Sequence, residues 1–219
     1  MAQTTVPKRH QPHTRYYIDG KRVPGVTTIL GVLDKPALKK WANRIGLEGI
    51  DLQNYVDDMA DVGTCAHYMI ECDVKGEDPD LSDFSQNTIS LAENGYLKWL
   101  EWKNEHNVQP VAGERVLTSA KHRAGGTADI VAYVDGRLSL IDIKTSGSGI
   151  FPDMEAQAAV YYDMLRQNGY EMEAAYILRV GRDEGEGFDY KQITNIPKYL
   201  EVFEHCRAIY DLKKALNWR

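Results

Sequence analysis

The chain has 219 residues, 43% hydrophobic and 26% charged, with a formal net charge of −6. That size suits one substantial core, no apolar run of about 18 residues offers a transmembrane helix, and the acidic balance excludes a protein that coats nucleic acid by bulk electrostatics while leaving room for a local basic groove. Three cysteines, Cys65, Cys72 and Cys206, show neither CxxC spacing nor the even count of a disulfide framework, so reduced buried thiols are expected.

Residues 1–14 are polar and basic and read as a flexible tail; they lack the apolar core of a signal peptide, so a soluble cytoplasmic protein is expected. The ordered chain, 15–219, reads as a single domain with a mainly helical part over 15–107 and a sheet-bearing part over 108–219. A small hairpin is predicted around Asp19-Gly20, then Thr27-Thr28 leading into a short apolar run, then a helix from about Pro36 to Gly46 decorated by Lys35, Lys39, Lys40 and Arg44. Two further helices follow, roughly Asp61 to Val74 and Ser85 to His106. From Val108 the pattern turns to strands. A helix from Met154 to Asn168, strands at Glu173 to Val180 and Asp189 to Ile193, and a last helix from about Pro197 to Leu216 complete a mixed α/β order in which a helix crosses over between strands. The acidic turn Gly181 to Gly187 reads as a solvated connection without function.

The most informative stretch is Gly126 to Lys144, GTADIVAYVDGRLSLIDIK, two apolar runs joined by Asp135-Gly136, a hairpin signal. If the loop has two residues, Val134 faces Arg137, Asp129 faces Asp142, and Thr127 faces Lys144. Opposed side chains in such a pair stand roughly 4.5–5.5 Å apart at Cβ, and like charges there are destabilising unless neutralised, for which a divalent cation is the obvious agent. Both faces nearer the turn are apolar, so these are central strands of a covered sheet, and charges at their end are costly unless functional. The bland alternative is a structural ion-pair network.

The order Gly126-Thr127-Ala128-Asp129, then Asp142-Ile143-Lys144, then Gln157-Ala158-Ala159-Val160-Tyr161 resembles the PD-(D/E)XK nucleases, in particular their RecB-like and lambda-exonuclease-like branch. His67 within Gly63-Thr64-Cys65-Ala66-His67 is similar to that branch's upstream helical motif, and Val26-Thr27-Thr28-Ile29-Leu30 resembles phage-encoded members. The resemblance implies a restriction-endonuclease-like mixed β-sheet flanked by helices and a metal-dependent deoxyribonuclease, an exonuclease acting at DNA ends in recombination, repair or phage DNA metabolism. The alternative is a catalytically silent nucleic-acid-binding or assembly module of the same fold.

By that resemblance Asp129, Asp142 and the backbone carbonyl of Ile143 would hold Mg²⁺ or Mn²⁺, with His67 completing the metal shell, Glu114 a further acidic candidate and Glu71 a more distant one. Lys144 would orient or deprotonate the attacking water, and Gln157 and Tyr161, four apart on one helix, would face the site. Lys121, His122 and Arg123 form one basic patch for DNA, and Lys35, Lys39 and Lys40 a second. The four cysteines of iron-sulfur relatives are missing, so no cluster is expected, and no phosphate-binding GxxxxGK[ST] loop occurs. DNA and a single-strand annealing or recombination protein are the partners implied, with a homo-oligomer as known among relatives.

Overall fold

The computed structural model describes residues 14–183 and 185–218, so the tail expected over 1–14 lies, Thr14 apart, outside the described residues. The chain opens with the Asp19-Gly20 hairpin, β1 (Tyr16–Ile18) against β2 (Lys21–Val23), and continues through four helices, α1 (Val26–Leu30), α2 (Pro36–Leu47), α3 (Leu52–Lys75) and α4 (Gln86–Glu105). Local chemistry sets their ends. Pro36 stands in the first turn of α2, where its fixed φ is already helical. The Asp51 carboxylate accepts the Asn54 amide at 2.9 Å to start α3, and Gly76, at φ 70°, ends it. Helix α3 begins at Leu52 rather than near Asp61, because its first two turns are mostly exposed and carry no apolar period to read. The Val26 to Leu30 run, expected as an apolar lead-in, is the short helix α1.

The second half contributes β3 (Gln109–Ala112), β4 (Arg115–Ser119), β5 (Ala124–Ala128), β6 (Ile130–Val134), β7 (Arg137–Thr145), α5 (Pro152–Gln167), β8 (Ala174–Val180), β9 (Phe188–Gln192) and α6 (Ile196–Ala215). Five of these strands form a mixed sheet in the order β3-β6-β7-β8-β9, antiparallel except where α5 carries the chain over to place β8 parallel to β7. Strands β4 and β5 form a separate antiparallel ladder.

The sheet is covered on both faces, as its doubly apolar strands require. On one, Val131, Leu140, Ala175 and Ile177 pack with Ile29 of α1, Val160 and Met164 of α5 and Phe203 of α6. On the other, Ile130, Ile141, Ile143 and Leu178 meet Ile70 of α3 and Trp99 and Trp102 of α4. Burying side chains of this size is worth about 1.5–3 kcal/mol each, and it fixes the register, since a one-residue slip would exchange the two faces. Among the described residues no helix is long and apolar enough to cross a membrane.

The turn at Asp135-Gly136 has the expected two-residue form, with φ of 49° and 81°, and the ladder runs Val134↔Arg137, Tyr133↔Leu138, Val131↔Leu140 and Ile130↔Ile141. There it stops. The expected single strand from Gly126 to Val134 is two strands broken at Asp129, because Thr127 and Ala128 pair with Val116 and Arg115 of β4 instead of with β7. Thr127 therefore does not face Lys144.

Candidate active site

The break at Asp129 gives its carboxylate a specific job. Continued by one more narrow pair, the β6–β7 ladder would give the Ile143 amide to a main-chain carbonyl; instead that amide donates to Asp129 Oδ2 at 2.8 Å. The Asp129 side chain thus caps the ladder at the level of Asp142 and Ile143. The expected Asp129↔Asp142 pair does not form in the ladder; the Asp129 carboxylate accepts from the Ile143 amide instead, close enough that its charge is felt at Asp142.

Asp142 is 1% exposed, on the face of β7 that packs against α5. Lys144 Nζ lies 2.5 Å from its Oδ2 in an ion pair, and its Oδ1 is buried with no hydrogen-bond partner among the described residues. Burial pushes the Asp142 carboxyl up to about 6; Lys144 pulls against that shift and Asp129 adds to it. Burial alone would discharge Lys144, but Asp142 and Asp129 outweigh it and hold its ammonium above the ordinary lysine range. A desolvated ion pair with a second carboxylate beside it is an expensive arrangement in a core.

Gln157 and Tyr161 of α5 come together over the same corner: Gln157 Nε2 donates to the Tyr161 hydroxyl at 3.1 Å. Burial, then the charge of Asp142, drives the Tyr161 phenol far above its usual range, so it stays protonated. Gly126 is glycine because the Tyr161 ring lies on it: a Cβ there would stand 2.8 Å from Cζ. Its neighbour Gly125 is covered in the same way by the ring of Tyr16, whose hydroxyl is 3.1 Å from Thr127 Oγ1. Tyr16 was not among the residues expected at the site; only the glycine pair, which makes room for two rings, hinted at such neighbours.

His67 is half-buried on α3, and its charge is felt at Asp142, lowering the carboxyl against the burial effect. One turn earlier, Gly63 lets α3 approach β7, since a Cβ would stand 2.5 Å from Thr145 Oγ1. Glu71 accepts a hydrogen bond from Lys75 Nζ at 2.6 Å along the same helix. Glu114, expected on a strand, stands exposed in the bend between β3 and β4, one residue beyond the Arg115↔Ala128 pair and so at the level of Asp129.

The basic patches are differently placed. Lys121 and His122 both reach Asp163 Oδ2 of α5, at 3.0 and 2.6 Å, and Arg123 reaches Asp211 of α6 at 3.0 Å. His122 is buried, so this loop is a tie between β4–β5 and two helices. In the second patch Lys35 pairs with Asp153 at 2.6 Å and Lys39 with Asp34, while Lys40 is exposed. A third basic surface escaped the sequence reading. A cleft of about 710 Å³ is lined by Tyr16, Arg15, Arg22, Thr27, Thr28 and Lys214, among others. Because Tyr16 also touches Thr127, the cleft adjoins the carboxylate corner.

Among the described residues no three His, Cys, Asp or Glu side chains converge as a ready-made metal cluster. The donors at hand are two carboxylates and the Ile143 carbonyl, hard oxygens of the kind that Mg²⁺ and Mn²⁺ take while retaining waters. Asp142 Oδ1, buried without a hydrogen-bond partner among the described residues, fits that use.

This architecture is a mixed α/β fold with a five-stranded sheet flanked by helices and a helical first half. No family model and no curated protein matches the chain. Among solved structures it is similar to a protein from Eubacterium rectale described as a "Putative exonuclease", at 15% identity and a TM-score of 0.45, over 68% of this chain and 62% of that one. A second, SSO0001, is similar at 14% identity and a TM-score of 0.32, over 59% of this chain and 68% of that one. The chain thus spans less than two thirds of the length of the first.

Proposed function

We propose that the protein is a Mg²⁺- or Mn²⁺-dependent deoxyribonuclease of the PD-(D/E)XK type, acting as an exonuclease on DNA ends. The observation that carries this reading is the buried Asp142 carboxylate, paired with Lys144 at 2.5 Å and adjoined by Asp129, so that two acids and an ammonium gather at one covered strand end. Stability alone disfavours a desolvated carboxylate with a second one beside it.

Asp129, Asp142 and the Ile143 carbonyl would hold the cation, with His67 beside them. When bound, it supplies a Lewis acid for a phosphoryl oxygen and makes a bound water more acidic. Lys144, kept charged by the two aspartates, places an ammonium where negative charge develops as a phosphodiester is hydrolysed, and can orient the attacking water. Tyr161, held protonated and fixed by Gln157, offers a hydroxyl donor on the same side. The cleft beyond Tyr16 presents Arg15, Arg22 and Lys214 with two threonine hydroxyls, chemistry suited to the phosphates of a DNA strand leading into the site.

The test is digestion of end-labelled linear and circular DNA with Mg²⁺ or Mn²⁺ at neutral pH. Linear DNA is expected to be shortened from its ends and circular DNA to survive. Intact linear DNA would sink the catalytic reading, and cutting of the circle would turn it to an endonuclease.

A further inference from the structure

Strand β8 is buried at every residue and apolar at all but one, Arg179. That arginine sits at a particular place: β7 and β8 are parallel, Lys144 pairs with Arg179, and directly paired residues of a parallel sheet project from the same face. A guanidinium 7% exposed in an otherwise apolar strand is costly, and among the described residues its hydrogen bonds go to main-chain carbonyls while the Glu186 carboxylate feels its charge. Its Nη1 donates to two main-chain carbonyls, Ser146 at 3.1 Å and Glu186 at 2.9 Å, while Nε is buried without a hydrogen-bond partner among the described residues.

Those carbonyls belong to two segments. Ser146 follows directly on Lys144 and Thr145 at the end of β7. Glu186 lies in the acidic turn after β8. Among its described residues the Glu186 carboxylate accepts from the Arg182 amide, Nε and Nη2 at 2.8, 2.9 and 2.5 Å, and Gly181 N donates to Gly187 O at 2.9 Å. The Arg182–Glu186 pair presses on Gly147, where a Cβ would stand 2.6 Å from Arg182 Nη2. From the other side, Gly63 of α3 presses on Thr145.

We infer that Arg179, with the Arg182–Glu186 turn that it anchors, is a positioning element that fixes the end of β7 so that Lys144 stays against Asp142. The segment Thr145–Ser146–Gly147 is held to β8 by the Thr145↔Val180 pair and by a 3.3 Å bond from the Ser146 amide to the Val180 carbonyl, and Arg179 adds a side-chain tie to the Ser146 carbonyl that limits fraying of the strand end and of the Lys144 ammonium with it. An apolar residue at 179 would pack as well as its neighbours on β8; what it would lack is the bond to the Ser146 carbonyl. The turn after β8 is then part of the machinery rather than a solvated connection.

The inference rests on the nuclease reading for its effect on catalysis, and its test separates the two. Arg179→Met, Arg179→Lys and Glu186→Gln are compared with the wild type for DNA cleavage under Mn²⁺ and for amide hydrogen exchange. Arg179→Met is expected to lower kcat by about tenfold or more with KM for DNA within about twofold, since misplacing a catalytic group acts on the chemical step. Arg179→Lys, able to donate to the same carbonyls, should recover most of that loss. Exchange at residues 144–147 should rise in Arg179→Met and, less, in Glu186→Gln, with the β6–β7 ladder near the turn unchanged. Glu186→Gln keeps the test decisive should Arg179→Met not fold. If wild-type protein leaves DNA intact, the nuclease reading falls while exchange still judges the brace. Unchanged exchange at 144–147, or a loss confined to KM, overturns the inference.

Discussion

The two ends of the β6–β7 hairpin carry the same kinds of side chain and treat them in opposite ways. At the turn, Asp135 is half-exposed and meets His106 Nδ1 at 2.9 Å, and Arg137 Nη2 donates to the Tyr176 hydroxyl at 2.5 Å. At the far end, Asp142 is buried, pushed up to about 6, and paired with Lys144 with a second carboxylate alongside. Charge at the turn is where water and a partner can reach it. Charge at the far end is concentrated where water is largely excluded, which is what preorganised electrostatics needs and what stability alone would avoid.

The comparison breaks hardest in activity. Asp142→Ala and Lys144→Ala are each expected to lower cleavage of end-labelled linear DNA by about a thousandfold or more, because each removes a group from the charge-stabilising set. Asp135→Asn and His106→Gln should leave it within about twofold. Full activity in Asp142→Ala or Lys144→Ala would return the far end to the status of an ion-pair network.

The two glycines of the same hairpin region sharpen the contrast in stability. Gly126 is needed for space, because Tyr161 lies on it, whereas Gly136 has nothing within 4 Å of a Cβ and is needed for its φ of 81°. Gly126→Ala overpacks a buried corner and should cost about 1–3 kcal/mol in urea denaturation. Gly136→Ala should cost about 1 kcal/mol, the strain of a left-handed alanine. In a double-mutant cycle, Tyr161→Ala should relieve part of the Gly126→Ala loss and none of the Gly136→Ala loss. Equal behaviour of the two glycines would refute the close approach.

Much of this geometry was legible from short-range pattern. Asp135-Gly136 gave the turn and with it the pairing from Val134 to Ile130; the crossover helix with Gln157 and Tyr161, and the coverage of both faces, followed from periodicity. What was hidden depends on residues far away in the chain. The strand break at Asp129 is set by β4, which claims Thr127 and Ala128, and no local signal distinguishes that from continued pairing with β7. The basic run Lys121-His122-Arg123 looked like a phosphate grip because Asp163 and Asp211, the acids that take it, lie on helices later in the chain. Arg179 gave a faint cue, one charge in an apolar strand.

A smaller effect is expected in the pH dependence of metal binding. An Asp142 carboxyl raised to about 6 is mainly ionised above that pH and mainly protonated below it, and a cation competes with that proton. Mn²⁺ affinity measured by calorimetry should therefore be flat from pH 8 to about 6.5 and then weaken by about tenfold per unit below about pH 6. An ordinary surface carboxylate would hold its affinity to about pH 4. Affinity flat down to pH 5 would mean that Asp142 is not the ligand or is not desolvated.

The smallest effect belongs to the turn itself. His106 and Asp135 are partly exposed, with side-chain accessibilities of 19% and 47%, so their attraction is screened and should be worth no more than about 1 kcal/mol. Asp135 has a second role, since its φ of 49° is a conformation that asparagine adopts as readily. Asp135→Asn keeps the turn and removes only the charge, so its effect on the urea midpoint should be slight and should vanish in about 1 M salt, where the screening length is about 3 Å. A loss that survives high salt would show that the turn end, too, relies on a desolvated charge, and the contrast between the two ends of the hairpin would then be one of degree.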